Sequence, residues 1–316
     1  GRREAENLGA IRAELDRRGC RVPLVADIHF LPSAALVAAE HVEKIRINPG
    51  NFNDKGGQFD ELLAICKRRG AALRIGVNHG SLAPAVMERY GDTPEGMVAS
   101  AMEFLRRCRA AAFDRVVLSV KSSNVRVMVQ AYRMLAAAMR AEEMHYPLHL
   151  GVTEAGNDRE GRIKSAAGIG ALLADGLGDT IRVSLTEAPE REIPVARMLA
   201  DYFAGRENHA PIPAVDESLY SPYSYRKRPS EKIGGIGGDA QVAIWSEIPA
   251  AVRETLFEAD IRTVDRIPRG RIVLLKTNNL NGIAEQRAAL LTMAGRGLTN
   301  PVIIQRTYDE SDPEVL

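Results

Sequence analysis

Ten residues, spaced along the first two thirds of the chain, carry side chains that could do chemistry together. Asp27 and His29 are two apart, as are Arg46 and Asn48, and again Arg182 and Ser184. Arg74 and Asn78 are four apart, Lys121 stands alone, and Glu154 follows Thr153. Along a β-strand, residues two or four apart project to the same face. If these strands lie side by side, three guanidiniums, one ammonium and several amides and hydroxyls meet with few carboxylates among them. Such a mouth is built for an anion. Arginine offers a planar fork that matches phosphate oxygens, and three of them suit a ligand with more than one phosphate charge. Asn48, Asn78 and Ser184 can orient oxygens without adding charge. Glu154 is the notable carboxylate among cations and therefore a candidate general acid or base. Asp27 and His29 either assist it or hold loops in place.

The elements that must position these residues are legible as a rhythm. Short β-prone runs at 23–28, 44–48, 73–78, 115–120, 148–153 and 180–185 alternate with helix-length segments from residue 22 to about 204. The clearest helix runs from Thr93, a candidate N-cap with Pro94 at the first helical position, to about Ala112. Met97, Ala101, Phe104, Leu105 and Cys108 line one face of it. An opening helix spans Glu4 to Arg18, with Leu8, Ile11 and Leu15 on its apolar side. Strand–helix repetition of this kind predicts an α/β fold with a parallel sheet and right-handed crossovers. Six units suit either a doubly wound open sheet or a (β/α)8 TIM barrel that lacks its first two strands. The barrel is preferred, because polar residues close every strand rather than one switch point. A lone Arg or Lys at a strand end commonly neutralises a neighbouring acid; six successive polar strand ends ask for a shared purpose.

After Gly205 the character changes. Residues 209–238 are rich in Pro, Gly, Ser and Tyr and read as a loop-heavy connection. A smaller α/β pattern follows: a strand at 241–245, a helix near 248–258, a strand at 271–276, a helix at 283–295 and a strand at 301–305. The expected division is therefore a partial barrel over 1–204 and a second, incomplete α/β domain over 205–316. Gly234 to Gly238 lacks the lysine of a Walker loop and the Rossmann fingerprint, so it reads as a flexible loop. Tyr220, Tyr223 and Tyr225, beside Arg226, Lys227 and Arg228, read as a packed interdomain loop rather than a base-stacking surface.

Composition removes other classes. The chain has 316 residues, 45% hydrophobic and 26% charged, with 42 Lys plus Arg against 41 Asp plus Glu. A net charge of +1 argues against binding nucleic acid or acidic lipid through bulk charge. No apolar run approaches the ~18–20 residues of a membrane span. Cys20, Cys66 and Cys108 are few, scattered and without a CxxC pair, which fits buried thiols in a reducing compartment rather than a disulfide framework.

Five strings at the strand ends resemble one family. Val25-Ala-Asp-Ile-His-Phe30, Lys44-Ile-Arg-Ile-Asn-Pro-Gly-Asn51, Arg74-Ile-Gly-Val-Asn-His-Gly-Ser81, Gly151-Val-Thr-Glu-Ala-Gly156 and Gly178-Asp-Thr-Ile-Arg-Val-Ser-Leu185 resemble the IspG (GcpE) family, 4-hydroxy-3-methylbut-2-enyl diphosphate synthase. The likeness covers residues 1 to about 204 in order, and the segment from Tyr220 onward looks like the inserted central domain of the long, plant-like and bacterial members. The resemblance implies an iron–sulfur oxidoreductase of the methylerythritol phosphate route to isoprenoids. It opens 2-C-methyl-D-erythritol 2,4-cyclodiphosphate reductively and eliminates water, with two electrons delivered through a [4Fe-4S] cluster by ferredoxin or flavodoxin. Carried over by motif, Arg46, Arg74, Lys121 and Arg182 hold the diphosphate, Asn48, Asn78 and Ser184 assist, Glu154 is the acid/base, and Asp27 and His29 belong to the same mouth.

The departures are as informative as the matches. A [4Fe-4S] centre needs a set of thiolates that this chain does not offer, so no metal site is assigned to it. The expectation is an internal piece of the long-type enzyme, with the first two strands and the cluster domain lying elsewhere, inactive alone. A homodimer and a bacterial cytoplasmic setting are expected, with a plastid as the alternative. Two rival readings stand beside it: a dihydropteroate synthase-like transferase barrel, which shares a phosphate-binding mouth without iron, and a non-catalytic fragment.

Overall fold

The computed structural model describes residues 1–54, 56–221 and 226–307. It falls into two compact units, Gly1–Asp201 and Tyr202–Leu316. Tyr223 and Tyr225 of the tyrosine-rich segment lie outside the described residues.

The first unit repeats strand and helix six times. Its order is α1 (Arg2–Arg17), β1 (Val25–Ile28), α2 (Pro32–Ala39), β2 (Lys44–Ile47), α3 (Gln58–Arg69), β3 (Ala72–Asn78), α4 (Pro84–Tyr90), α5 (Pro94–Ala110), β4 (Val116–Lys121), α6 (Val125–Ala141), β5 (His149–Leu150), α7 (Asp158–Ala174), β6 (Thr180–Ile181) and α8 (Glu192–Ala204). All pairings are parallel: β1-β2-β3-β4 form one sheet, a parallel bridge from Leu118 to Leu148 carries it to β5, and β5 pairs with β6. The last two strands are shorter than the sequence predicts, yet the ladder runs on, since the Arg182 amide donates to the Leu150 carbonyl at 2.9 Å.

Side-chain alternation explains why the unit holds together and what it leaves free. Ile45, Ile47, Leu73, Ile75, Val77, Leu118, Val120 and Leu150 are fully buried and join the helices in one apolar core. The intervening residues, Asp27, Arg46, Arg74, Ser119, Lys121, His149 and Arg182, take the opposite face. Barrel interiors are normally filled by layers of branched aliphatics. Here that face is polar, so the outer contacts with the helices carry the hydrophobic stabilisation. Local signals agree: the Thr93 hydroxyl accepts the Gly96 amide at 3.2 Å to cap α5, and Asn124 caps α6 through the amides of Arg126 and Val127.

The buried thiols have a measurable consequence. Cys66 and Cys108 are fully buried, and burial pushes their thiols up to about 11 and about 12, whereas Cys20, just past α1, is half-buried. A thiol-specific reagent at pH 8 is expected to label Cys20 in the native chain, and Cys66 and Cys108 only in denaturant. Rapid native labelling of either would mean that α3 and α5 do not pack as described.

The second unit contains α9 (Ala250–Arg253), β7 (Leu256–Ala259), β8 (Ile272–Leu275), α10 (Gly282–Gly295) and β9 (Val302–Ile304), with a parallel sheet in the order β7-β8-β9. Its core is small, built on Val264, Val273, Leu275, Ala289 and Met293. Two expectations fail here. Residues 241–245 form no strand, and Val242 and Ile244 are 93% and 96% exposed. The expected helix over 248–258 is a single turn, α9, followed by β7. Alternation and periodicity in such short runs are weak, and tertiary pairing decides: Leu256 to Ala259 lie in register with Ile272 to Leu275. Among the described residues, no helix is long and apolar enough to cross a membrane.

Candidate anion-binding site

Strand register brings the predicted cations together. Asp27 of β1, Arg46 of β2 and Arg74 of β3 are lateral partners in one row, and Asn78 of β3 pairs with Lys121 of β4 two inward-facing rows above, beyond Gly76 and Ser119. Arg182 lies immediately after β6. Arg46 is the most engaged of the set. It is 5% exposed; one terminal nitrogen donates to Asp27 Oδ1 at 2.8 Å and approaches His29 Nε2 at 2.8 Å, while the other donates to the Gly76 carbonyl at 2.9 Å. A guanidinium only donates, so His29 Nε2 meets it as an acceptor. The Asn78 side-chain oxygen accepts from the same guanidinium at 3.2 Å when its amide is oriented to satisfy both ends. Arg46 Nε and Arg74 Nε are buried without hydrogen-bond partners among the described residues.

The electrostatics follow from crowding like charges on one low-dielectric face. Burial lowers the affinity of Arg74 for its proton, and the charges of Arg46 and Arg182 lower it further against the pull of Asp27 and Tyr132. Lys121 is 5% exposed, and burial together with Arg74, Arg182 and Arg46 brings it down to about 7. Asp27 shows the counterpart: burial pushes its carboxyl up, but the Arg46 hydrogen bond and the charges of Arg46 and Arg74 outweigh it and hold the group below the usual range.

The remaining predicted residues divide. Ser184 accepts a long contact from Arg182 at 3.5 Å, which keeps the pair at the rim. Asn48 is 1% exposed and already occupied: its amide nitrogen donates to Ser81 Oγ at 2.9 Å and its oxygen accepts the Gly50 amide at 3.0 Å, so it fastens two loops of the mouth. Glu154 is exposed in the loop after β5 and is not part of the Arg46 network; its φ of +52° puts a non-glycine residue in the left-handed region.

Three features of the site escape the sequence reading. His149 of β5 faces Thr180 Oγ1 at 2.8 Å, and burial plus the charges of Lys121 and Arg74 lower it to about 3, so it is a neutral floor beneath the cations. Strand alternation from Gly151 and Thr153 points to it. The other two are inward-facing glycines. A Cβ on Gly76 would sit 2.5 Å from Arg46 Nε, and one on Gly151 would sit 3.2 Å from Lys121 Nζ and 3.0 Å from the Arg182 carbonyl. These glycines provide the space in which the buried cations lie, a need no spacing rule expresses. No cluster of three or more His, Cys, Asp or Glu side chains able to hold a metal occurs among the described residues. With Cys66 and Cys108 sealed in the core as protonated thiols, the cysteines present do not fit an iron–sulfur cluster.

Known proteins are similar to this chain. Residues 1–197 match the family model of the GcpE TIM-barrel domain. The 4-hydroxy-3-methylbut-2-en-1-yl diphosphate synthase (flavodoxin) of Parabacteroides distasonis is 42% identical, over 100% of this chain and 66% of its own length. Proteins of the same name from Bacteroides fragilis (strain YCH46) and Porphyromonas gingivalis are 54% and 41% identical, over 74% and 100% of this chain and 41% and 64% of theirs. The chain thus spans between about two fifths and two thirds of the length of these curated relatives. With the polar strand ends in register and the family model matched across nearly all of the first unit, the chain belongs to the GcpE TIM-barrel family.

Proposed function

We propose that this chain supplies the substrate-binding mouth of a 4-hydroxy-3-methylbut-2-en-1-yl diphosphate synthase, which reductively opens 2-C-methyl-D-erythritol 2,4-cyclodiphosphate and eliminates water. The observation that carries the reading is the gathering of Arg46, Arg74, Lys121 and Arg182 on one face with Asp27 as the acid that bears on them. An excess of buried positive charge is unfavourable until an anion fills it, and a diphosphate meets Arg forks and an ammonium at once. In this reading Arg46, already held by Asp27 and Gly76, is the fixed element; Arg182 and Ser184 close on the anion from the rim; Asn48 and Asn78 set loop and guanidinium geometry; and Glu154 delivers the proton that lets a hydroxyl leave as water. Residues 1–204 form the binding barrel, and 205–316 form a separate inserted domain.

The reaction consumes two electrons, and the cysteines of this chain do not fit the cluster that would pass them on, so reducing equivalents enter through groups other than the described residues. Flavodoxin, named for the relatives, is the proposed donor. Calorimetric titration with the cyclic diphosphate tests the binding claim. Arg182→Ala is expected to weaken binding by about 10- to 100-fold, the equivalent of ~1.5–3 kcal/mol for a charged hydrogen-bonding contact. Arg68→Ala, on the exposed face of α3 beside Glu40, should leave affinity unchanged. Equal affinities in wild type, Arg182→Ala and Arg68→Ala would overturn the reading.

A further inference from the structure

We propose that Lys121 sheds its proton in the empty mouth at mildly alkaline pH and takes it back as the diphosphate binds, so that filling the site is coupled to proton uptake. The inference rests on the binding function proposed above and deepens it by giving one of the cations a conditional charge. Its basis is geometric. Lys121 is buried at the end of β4, and its ammonium has no hydrogen-bond or ion-pair partner among the described residues. The inward face of Gly151 leaves it room and supplies no carboxylate.

The groups around it come from every strand of the unit. From β1 faces Asp27, from β2 Arg46 with His29 lying against its guanidinium, from β3 Arg74, from β5 His149, and from just after β6 Arg182. Asp27 is the carboxylate in this set, and it is already engaged by Arg46 at 2.8 Å. The arginines cannot shed their charge in any ordinary pH range, so the lysine is the member of the cluster that yields. That accords with its fall to about 7, caused by burial first and by Arg74, Arg182 and Arg46 after it. When two phosphate charges enter, they cancel the positive charge that the arginines leave in excess of Asp27, and the ammonium becomes the favoured form. The cyclic diphosphate bears one strongly acidic oxygen on each phosphorus, so the ligand itself neither gains nor loses protons near neutrality.

Calorimetry of the full chain with the cyclic diphosphate, in buffers of low and high ionisation enthalpy, measures the uptake. Close to one proton per site is expected at pH 8 and close to none at pH 6. Because the bound state holds the additional proton, affinity should fall as pH rises above the free lysine's range, by about tenfold per pH unit. Lys121→Arg, permanently charged, should bind with no uptake and with a flat pH profile, while His29→Gln should retain the uptake. Lys121→Met should lose both uptake and affinity. Tight binding without proton uptake in the wild type overturns the proposal and leaves the binding function standing, and so does uptake that survives in Lys121→Arg. Failure of the cyclic diphosphate to bind overturns the reading beneath it.

Discussion

Replacing Glu154 with glutamine in the intact, reductant-supplied enzyme is expected to leave the cyclic diphosphate bound and to lower turnover by about 10²- to 10⁴-fold, the usual worth of a positioned proton donor. The amide matches the carboxyl in shape and removes only the transferable proton. Glu154 stands outside the hydrogen-bonded network of Arg46, Asp27, His29 and Asn78, so affinity should be nearly untouched. The backbone adds an independent reason to look here. At φ +52° the residue sits where a Cβ costs roughly 1–2 kcal/mol, and such strain gathers where function over-determines the chain. Glu154→Gly should therefore raise stability by about 1 kcal/mol while abolishing turnover. A glutamine variant that turns over normally would remove Glu154 from the chemistry. One that fails to bind would make it part of the mouth instead.

The polar floor carries a pH signature of its own. His149 is lowered to about 3 in the folded chain, against about 6.5 when exposed. Between those limits the unfolded chain binds a proton that the folded chain refuses, so stability rises with pH across this window and is lost on acidification. Asp27 acts in the same sense, because its depressed carboxyl is protonated more readily in the unfolded chain. The site thereby adds to the acid sensitivity of the first unit, alongside ion-paired carboxylates elsewhere such as Asp54 beside Arg107.

What could be read from the letters divides along a physical line. Period-two alternation is local, and it located the inward residues of β1 to β4 together with Arg182, because burial against helices on one face leaves the other free. Alternation carries no information about depth or occupancy. It placed Asn48 with the ligand-facing residues, although its amide is used by Ser81 and Gly50. It did not mark Gly50, where a Cβ would fall 1.6 Å from the Ser81 carbonyl oxygen, because close approach is a tertiary property. In the second unit the same signal misled. Residues 241–245 have strand-like apolar content but gain no neighbouring strand among the described residues, while Leu256 to Glu258, read as helix, pair with β8. A pattern specifies a strand only when something lies beside it.

Arg46 and Gly76 are expected to act as one unit, which a double-mutant cycle can expose. Arg46→Ala removes contacts to Asp27, His29 and the Gly76 carbonyl as well as a cation facing the ligand, and should weaken cyclic diphosphate binding by about 10²-fold or more. Gly76→Ala deletes nothing, yet its Cβ would lie 2.5 Å from Arg46 Nε and 3.1 Å from Ser119 Oγ. The neighbouring ladder from Ile75 to Val77 is paired with Leu118 to Val120, so the strand cannot retreat and the guanidinium must. Displacing it forfeits most of the same contacts, and affinity should fall by about 10- to 100-fold without loss of the fold, because the outward-facing core residues are unchanged. In the double variant the glycine no longer has a guanidinium to accommodate. Its affinity should match that of Arg46→Ala alone, giving a coupling of about 1.5–3 kcal/mol. Additive losses in the double variant, with thermal stability held, would show that Gly76 acts by another route and that the buried cation does not depend on the space the glycine leaves.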